Sequence, residues 1–302
     1  MKHVVSVSLG SSSRNHAVET EFLGEKFLIE RIGTDGDLEK AEALIKELSG
    51  KVDALGMGGI DLYLTAGNRR YVIRDARRLA RAAKNTPIVD GSGLKGTLER
   101  RVVRYLSQSQ AVELAGKRAL LVSGVDRWGM AEGLTEAGCI LTCGDIIFAL
   151  GLPVPLHSLA KLKLAAALIA PIVVRLPFTM LYPTGKKQEE EKADPRFARY
   201  YLNNDIIAGD FLFIKRHLPP EVPGKTIITN TVTAADVDDL KERGVAVLVT
   251  TTPELNGRSF GTNVMEAVLV SLADNPSSDL SIGDYERLLD KLELKPRITR
   301  LN

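Results

Sequence analysis

The apolar and polar positions of the chain alternate in a way that predicts short strands, each followed by a turn-rich loop and a helix. Residues 3–9 alternate like a half-buried strand, and residues 17–32 read as two extended arms joined by a turn. Apolar positions then recur at helical spacing in residues 38–48, with Asp37 as the N-cap and Gly50 as the stop. The repeated order of strand, loop and helix predicts an α/β fold with a mostly parallel sheet.

The clearest unit of this kind lies in residues 117–145. Apolar residues 119–122 predict a buried strand that ends at Gly124, and a helix that ends at Gly138 leads to a second strand and to Asp145. Strand, glycine loop, helix, strand and acid follow each other in this order in nucleotide-binding βαβ units. Asp145 stands 21 positions after Gly124, close to the offset of about 20 at which an acid meets a ribose hydroxyl.

The glycine fingerprint of that unit is partial. Its loop keeps the first and last glycines, Gly124 and Gly129, but Asp126 stands at the middle position, where a pyrophosphate needs bare backbone. Arg127 follows and could pair with a phosphate. Two interpretations stay open: a site for NAD or NADP, with NAD preferred because of Asp145, and a degenerate Rossmann scaffold that binds no dinucleotide.

The order of strand, loop and helix occurs in two parts of the 302-residue chain, which predicts two α/β domains and a tail. We assign residues 1–108 to an N-terminal α/β domain that binds substrate, and residues 109–273 to a Rossmann-like domain with a doubly wound parallel sheet. Residues 274–302 are predicted as a helical tail that packs back onto the first domain. Within the second domain, residues 172–176 and 211–214 read as short strands.

Composition narrows the function classes. With 44% hydrophobic and 26% charged residues the chain is globular, and its formal charge of +2 gives little support to a polyanionic partner. Residues 69–84 carry an arginine-rich stripe, which we interpret as a solvated helix face, with nucleic acid as the less favoured partner. The longest apolar segment, residues 164–174, is shorter than the roughly 20 residues that span a bilayer. We therefore predict a cytoplasmic location and no membrane partner, and leave the oligomeric state open between monomer and homodimer.

Cys139 and Cys143 are the only cysteines. An interval of four along a strand separates them too far for a disulfide, so we expect small core residues in a reducing compartment. The four histidines show no metal-ligand spacing, and no metal site is predicted.

Candidate chemistry lies in the loops that follow the strands, where ligands of open α/β sheets bind. Lys95 stands in a glycine-rich loop at a predicted helix start. With a lowered pKa it could act as a general base, and as a cation it could orient a hydroxyl; a solvated loop lysine is an equal alternative. Asp61 follows two glycines after a strand and is either a substrate ligand or a turn acid. The candidates are Lys95, Asp90 and Asp61 for catalysis; Gly124, Asp126, Arg127, Gly129, Asp145 and Asn230 for a cofactor; and Ser8, Ser11 and Arg258 for substrate.

Four segments together resemble a known family: SLGSSSRNHAVETEFLGEKFLIERIGTDGD, GMGGIDLY, VDGSGLKGTLERR and SGVDRWGMAE. They are similar, over most of the chain, to bacterial proteins that carry the name quinate 5-dehydrogenase. The resemblance implies the plan of the shikimate and quinate dehydrogenases, in which a substrate domain precedes a Rossmann domain that binds NAD or NADP. The implied activity is oxidation of a hydroxyl group on a small polyhydroxylated carboxylic acid such as quinate or shikimate.

The chain departs from that family's motifs at the catalytic positions. The family's lysine ends an N-V-T-x-P-x-K string, whereas Lys95 ends G-S-G-L-K, and the family's aspartate follows its lysine, whereas Asp61 and Asp90 precede Lys95. A non-catalytic ligand-binding or regulatory protein on a degenerate Rossmann scaffold is therefore the alternative function.

Overall fold

A computed structural model describes residues 1–66, 69–176, 194–252, 254–255 and 258–302. The N-terminal part contains β1 (Lys2–Ser8), a 3₁₀ turn (Ser12–Arg14), β2 (His16–Phe22), β3 (Glu25–Gly33), α1 (Leu38–Leu48), β4 (Ala54–Gly58), β5 (Tyr63–Ala66), β6 (Arg69–Val72), α2 (Arg74–Ala80), β7 (Ile88–Val89) and α3 (Ser92–Gln108).

The first sheet has the order β2-β3-β1-β4-β7. Strands β3, β1, β4 and β7 are parallel, and β2 joins the edge as the antiparallel arm of the predicted hairpin. The parallel order reverses at β1, whose last residue, Ser8, is in register with Gly58 at the end of β4. A ligand of such a sheet binds where the order reverses, at the carboxyl ends of these strands.

The second sheet is built from the following part of the chain and has the order β15-β12-β11-β10-β8-β9. All its strands are parallel except β15, which runs antiparallel to β12. The predicted doubly wound α/β fold is confirmed. Its elements are β8 (Arg118–Leu121), α4 (Trp128–Glu136), β9 (Ile140–Cys143), α5 (Asp145–Leu150), α6 (Leu159–Val173), α7 (Pro195–Leu202), β10 (Ile206–Ala208), α8 (Phe211–His217), β11 (Thr226–Thr229), α9 (Ala234–Glu242), β12 (Val247–Thr250), β13 (Glu254–Leu255), β14 (Arg258–Ser259), α10 (Thr262–Leu272), α11 (Ile282–Lys291) and β15 (Arg297–Arg300).

Two predicted strands are wrong. Residues 211–214 belong to helix α8, because the side chain of Asp210 accepts hydrogen bonds from the backbone N–H groups of Leu212 and Phe213 and so caps a helix. Residues 172–176 do not form a strand, because α6 continues through Pro171 to Val173.

The C-terminal segment joins both sheets. Helix α10 packs against β1 and β4 of the first sheet, where Asn263 Nδ2 donates a hydrogen bond to Ser6 Oγ at 2.7 Å. A Cβ atom on Gly56 would lie 3.1 Å from the side chain of Asn263, so the glycines of β4 admit this close helix. The tail is not entirely helical, because β15 extends the second sheet. The boundaries at residues 108 and 273 stay a prediction.

The core agrees with the cysteine interpretation, since Cys139 and Cys143 are free and buried. Among the described residues, no helix is both long and apolar enough to cross a membrane.

Candidate functional site

Helix α3 follows β7 of the first sheet, and its N-terminus is capped by a residue from far along the chain. Gly91 precedes it with a φ of 97°, a left-handed conformation that glycine adopts at low cost. The buried carboxylate of Glu266 in α10 accepts hydrogen bonds from the N–H groups of Gly91 (2.6 Å) and Leu94 (3.1 Å). The hydroxyl of Tyr285 donates a third at 2.6 Å. This carboxylate occupies the positive end of the helix and fixes the position of Lys95 one turn later.

Lys95 joins segments from both sheets. Its Nζ lies 2.7 Å from Asp126 Oδ1 and 3.2 Å from Asp61 Oδ1. Asp61 follows β4 of the first sheet, and Asp126 lies in the glycine loop that follows β8 of the second. The side chain of Lys95 is only 10% exposed. Three residues predicted for two different roles therefore form one contact group.

Arg127 extends this group inward. Its guanidinium Nη1 lies 2.6 Å from Glu99 Oε1, Nη2 lies 3.0 Å from Asp210 Oδ2, and Nε lies 3.2 Å from Asp126 Oδ2. Arg127 and Glu99 are buried, so the guanidinium pairs with carboxylates inside the protein and does not face solvent, where a phosphate would bind. Asn230 Nδ2 donates to Asp210 Oδ2 at 2.9 Å. We name the six residues Asp61, Lys95, Glu99, Asp126, Arg127 and Asp210 the Lys95 cluster.

Burial and the neighbouring charges shift the pKa values of the cluster residues in different directions. Burial lowers the pKa of Lys95, but the carboxylates of Asp126 and Asp61 outweigh it and hold that pKa above its ordinary value. Burial raises the pKa of Asp126, but Lys95 and Arg127 outweigh it and lower that pKa to about 2. Burial and the neighbouring Asp126 carboxylate raise the pKa of Asp61 to about 7. Lys95 is therefore a fixed cation, and Asp61 exchanges a proton near neutral pH. Burial also raises the pKa of Glu99 above its ordinary value, against the opposing effect of Arg127.

Asp90 lies beside this cluster and stabilises a turn. Its carboxylate accepts hydrogen bonds from the backbone N–H groups of Leu62 and Ser92 and from the Ser92 hydroxyl. It thereby ties the loop after β4 to the start of α3. Of the two acids predicted to work with Lys95, the structure brings Asp61 into contact with it.

The glycine loop after β8 is closed by the chain itself. The Asp145 carboxylate, whose pKa burial raises to about 6, accepts hydrogen bonds from the N–H groups of Gly124 (3.0 Å) and Val125 (2.9 Å). A Cβ atom on Gly124 would lie 2.8 Å from the buried side chain of Leu162 in α6. One on Gly129 would lie 2.3 Å from the backbone oxygen of Gly96 in α3. Both glycines therefore allow close packing within the protein.

A dinucleotide on this loop would need its pyrophosphate to approach bare backbone at the middle glycine position. Asp126 occupies that position, and its carboxylate spans to Lys95 and Arg127. A pyrophosphate there would meet an ionised carboxylate and would have to separate an ion pair of 2.7 Å. The residues present do not fit a dinucleotide in the pose that the βαβ pattern implies.

The predicted substrate serines form a second polar group at the end of β1. Ser8 Oγ accepts hydrogen bonds from Arg31 Nη2 (3.0 Å) and from the N–H of Gly10 (3.1 Å), and Arg31 Nη1 donates to the backbone oxygen of Ser11. Arg31 was not indicated by the sequence pattern. The backbone of Arg258 lies in β14, and its side chain is outside the described residues.

Three further residues of the site were not indicated by the sequence. Glu99 lies four residues after Lys95, so the helical period that predicted α3 also places both on one helix face. Asp210 follows β10, a strand that the hydrophobic pattern did not predict. Glu266 lies in α10, a helix that the pattern placed in the second domain. Nothing in the sequence indicated that Glu266 caps the start of α3.

The arginine stripe is partly paired, as a solvated face would be. Arg78 Nε lies 2.6 Å from Glu42 Oε2 in α1. Outside the stripe, Arg100 of α3 pairs with Glu132 of α4. Binding of nucleic acid, like the oligomeric state, stays a prediction.

Solved structures with a similar arrangement include enzymes and binding proteins. A glutamate dehydrogenase from Thermus thermophilus matches with a TM-score of 0.42 and 13% identity, over 97% of this chain and 73% of that chain. A malic enzyme from Entamoeba histolytica matches with a TM-score of 0.39 and 10% identity, over 97% and 74%. A galactofuranose-binding protein matches with a TM-score of 0.37 and 9% identity, over 97% and 99%. Similarity at this level carries no argument about activity.

No curated protein sequence matches the chain. Two family models do. Residues 3–90 match the model described as Domain of unknown function (DUF8753), and residues 93–301 match the one described as Domain of unknown function (DUF8754). Because the second model covers more than half of the chain, the protein belongs to the DUF8754 family.

Proposed function

We propose that the protein binds a small polar ligand at the Lys95 cluster, on a Rossmann-like scaffold whose glycine loop is closed to dinucleotides. The observation that carries this proposal is the 2.7 Å ion pair between Lys95 and Asp126. The Asp126 side chain stands where a dinucleotide would need bare backbone. Through Lys95, which also pairs with Asp61 after β4, the glycine loop of the second sheet is tied to the first sheet. The role that follows is that of a ligand-binding or regulatory protein.

The geometry of the cluster supports a ligand at its outer side. Asp61 and Asp126 keep 18% and 17% of their side-chain surface exposed, and Lys95 keeps 10%. Behind them, Arg127 and Glu99 are almost fully covered. A ligand would contact the outer three residues, while the inner pair fixes their positions through the interior.

A thermal-shift screen tests this proposal, because a ligand that binds the folded state raises the melting temperature. The screen would contain NAD(H), NADP(H), hydroxy acids, sugars and amines. We expect a stabilising compound that is not a dinucleotide. Its effect should be lost in Lys95→Met and retained in Lys51→Met, a change to an exposed lysine in a turn. A ligand whose effect survives Lys95→Met would place the binding site elsewhere.

An NAD(P)-dependent oxidoreductase is the second candidate, and one observation favours it. Asp61 is half-protonated near neutral pH and lies 3.2 Å from a fixed cation. Acid–base catalysis at a hydroxyl group needs a group that titrates near the working pH. In this alternative Lys95 would orient the hydroxyl of a polyhydroxylated acid such as quinate or shikimate, and Asp61 would take its proton.

Trp128 separates the two candidates, because this single tryptophan directly follows the glycine loop. Titration with NADH should leave its fluorescence unchanged apart from inner-filter absorption if the loop is closed. Asp126→Gly serves as the comparison. If the unchanged protein binds NADH and the variant binds it equally, the oxidoreductase gains support. If only the variant binds NADH, the closed loop of the first proposal is supported.

A further inference from the structure

We propose that the arginine-rich face formed by β6, α2 and the segment after α6 binds single-stranded nucleic acid. This face shares no residue with the Lys95 cluster, so the proposal goes beyond the function proposed above. The sequence pattern favoured a solvated helix face for these arginines, and three features of the structure favour a phosphodiester strand as the ligand. We name the following residues the arginine surface: Tyr63, Arg70, Arg74, Arg77, Arg81 and Arg175.

Unpaired positive charge is the first feature. All five arginines of the surface are exposed, and none of them forms an ion pair with the residues that the structure describes. The neighbouring Arg78 differs, because its guanidinium pairs with Glu42. Residues 69–84 contain seven basic residues and one acid, Asp75, which is half-buried. The excess of positive charge is therefore local to this face, although the formal charge of the whole chain is only +2.

The spacing of the arginines is the second feature. Arg74, Arg77 and Arg81 recur at intervals of three and four residues, so they share one face of α2 and its C-cap. At a rise of about 1.5 Å per residue, the first and the last lie about 10 Å apart, which is the length of about three stacked nucleotides. The backbone N–H of Arg74 donates a hydrogen bond to the backbone oxygen of Val174, which brings Arg175 to the same end of the helix.

An aromatic ring beside the arginines is the third feature. Tyr63 of β5 lies opposite Val72 of β6, and Leu64 on the other face of this hairpin is buried. Tyr63 and the exposed Val72 therefore lie on the outer face. The guanidinium carbon of Arg70 lies 5.5 Å from the centre of the Tyr63 ring. Unpaired bases stack on aromatic rings and on guanidinium planes, whereas the bases of a duplex already stack on each other. This pair therefore favours a single strand.

Fluorescence polarisation with labelled oligonucleotides tests the proposal. The probes are oligo(U) and oligo(dT) of about 12 nucleotides, a length within the range of sites that proteins cover on single strands. Binding of both probes shows recognition of the shared backbone and bases, and binding of one alone assigns the sugar. With five phosphate contacts, the affinity should fall about a hundredfold between about 50 and 200 mM salt, because each contact releases bound counterions.

Matched variants assign the binding to this surface. The triple change Arg74→Gln, Arg77→Gln and Arg81→Gln should weaken binding at least tenfold at about 50 mM salt and reduce the steepness of the salt dependence by about 2. Tyr63→Leu should weaken binding about fivefold at every salt concentration without changing that steepness, because it removes stacking and no charge. The control removes the same charge from three exposed lysines and should leave the affinity unchanged: Lys241→Gln, Lys291→Gln and Lys295→Gln.

Four results would overturn the proposal. They are the absence of binding by either oligonucleotide at low salt, equal affinity of the triple arginine variant and the unchanged protein, equal weakening by the lysine control, and equally tight binding of polyglutamate through the same arginines. The last result would assign the surface to an acidic protein. Circular dichroism confirms that each variant is folded. A ligand of the Lys95 cluster should still stabilise the triple arginine variant, so the two proposals fail independently of each other.

Discussion

Replacing Asp61 by asparagine should change how the stability of the protein depends on pH. In the folded protein burial and Asp126 raise the pKa of Asp61 from 3.8 to about 7. The folded state therefore binds more protons than the unfolded state between these values. It follows that the contribution of Asp61 to stability is fully present below pH 3.8 and is lost as the pH rises through about 7.

The magnitude follows from the two pKa values. Between pH 5 and pH 8, integration of the linkage relation gives a loss of about 2–3 kcal/mol in the free energy of unfolding from Asp61 alone. Asparagine does not titrate, so Asp61→Asn should lack this loss. Glu266 and Asp145, whose pKa values burial also raises, titrate in both proteins and cancel in the comparison.

Urea unfolding of both proteins at pH 5 and pH 8 measures this difference. The variant should gain stability relative to the unchanged protein as the pH rises. The control Asp238→Asn, which changes an exposed acid in α9, should show no relative gain. Parallel pH dependences of Asp61→Asn and the unchanged protein would refute the raised pKa, and with it the role of Asp61 as the proton-exchanging group.

Further substitutions test the packing around the site. Arg127→Met leaves the buried Glu99 and the half-buried Asp210 without their cation, while Asp126 keeps Lys95, and should cost about 3–5 kcal/mol in urea unfolding. Arg100→Met, at a half-exposed pair, should cost less than about 1 kcal/mol, and similar losses in the two variants would argue against a buried Arg127. Gly129→Ala forces a Cβ to 2.3 Å from a backbone oxygen and should lower the free energy of unfolding by about 1–3 kcal/mol. The matched change Gly96→Ala meets open space within α3 and should raise the melting temperature of the protein. Tyr285→Phe removes a hydrogen bond to the Glu266 carboxylate and should cost about 1.5–3 kcal/mol; an unchanged urea midpoint would show that this bond contributes nothing.

The fold could be predicted from local patterns because each strand, loop and helix carries its own periodicity. The βαβ unit of residues 117–145 appears in the structure as β8, α4 and β9. The pattern failed where side-chain chemistry overrides it. The apolar run that starts at Phe211 reads as a strand, and the N-cap at Asp210 makes it a helix.

The site was less predictable, because its contacts join residues that are far apart in sequence. Lys95 and Asp61 could be selected from their glycine-rich loops, but nothing local shows that Asp126 spans to Lys95. The partial glycine fingerprint did single out Asp126, and the structure shows this residue paired with Lys95 and Arg127. Glu266 could not be found from sequence, because it caps a helix that begins 174 residues before it.

Calorimetric titration of the unchanged protein with NADH and NADPH tests the central claim most directly. The closed glycine loop predicts no heat of binding above dilution for either cofactor at the pH values where the protein is folded. Saturable binding of either one, with a stoichiometry near one, would show that the Lys95–Asp126 pair opens and would contradict the account.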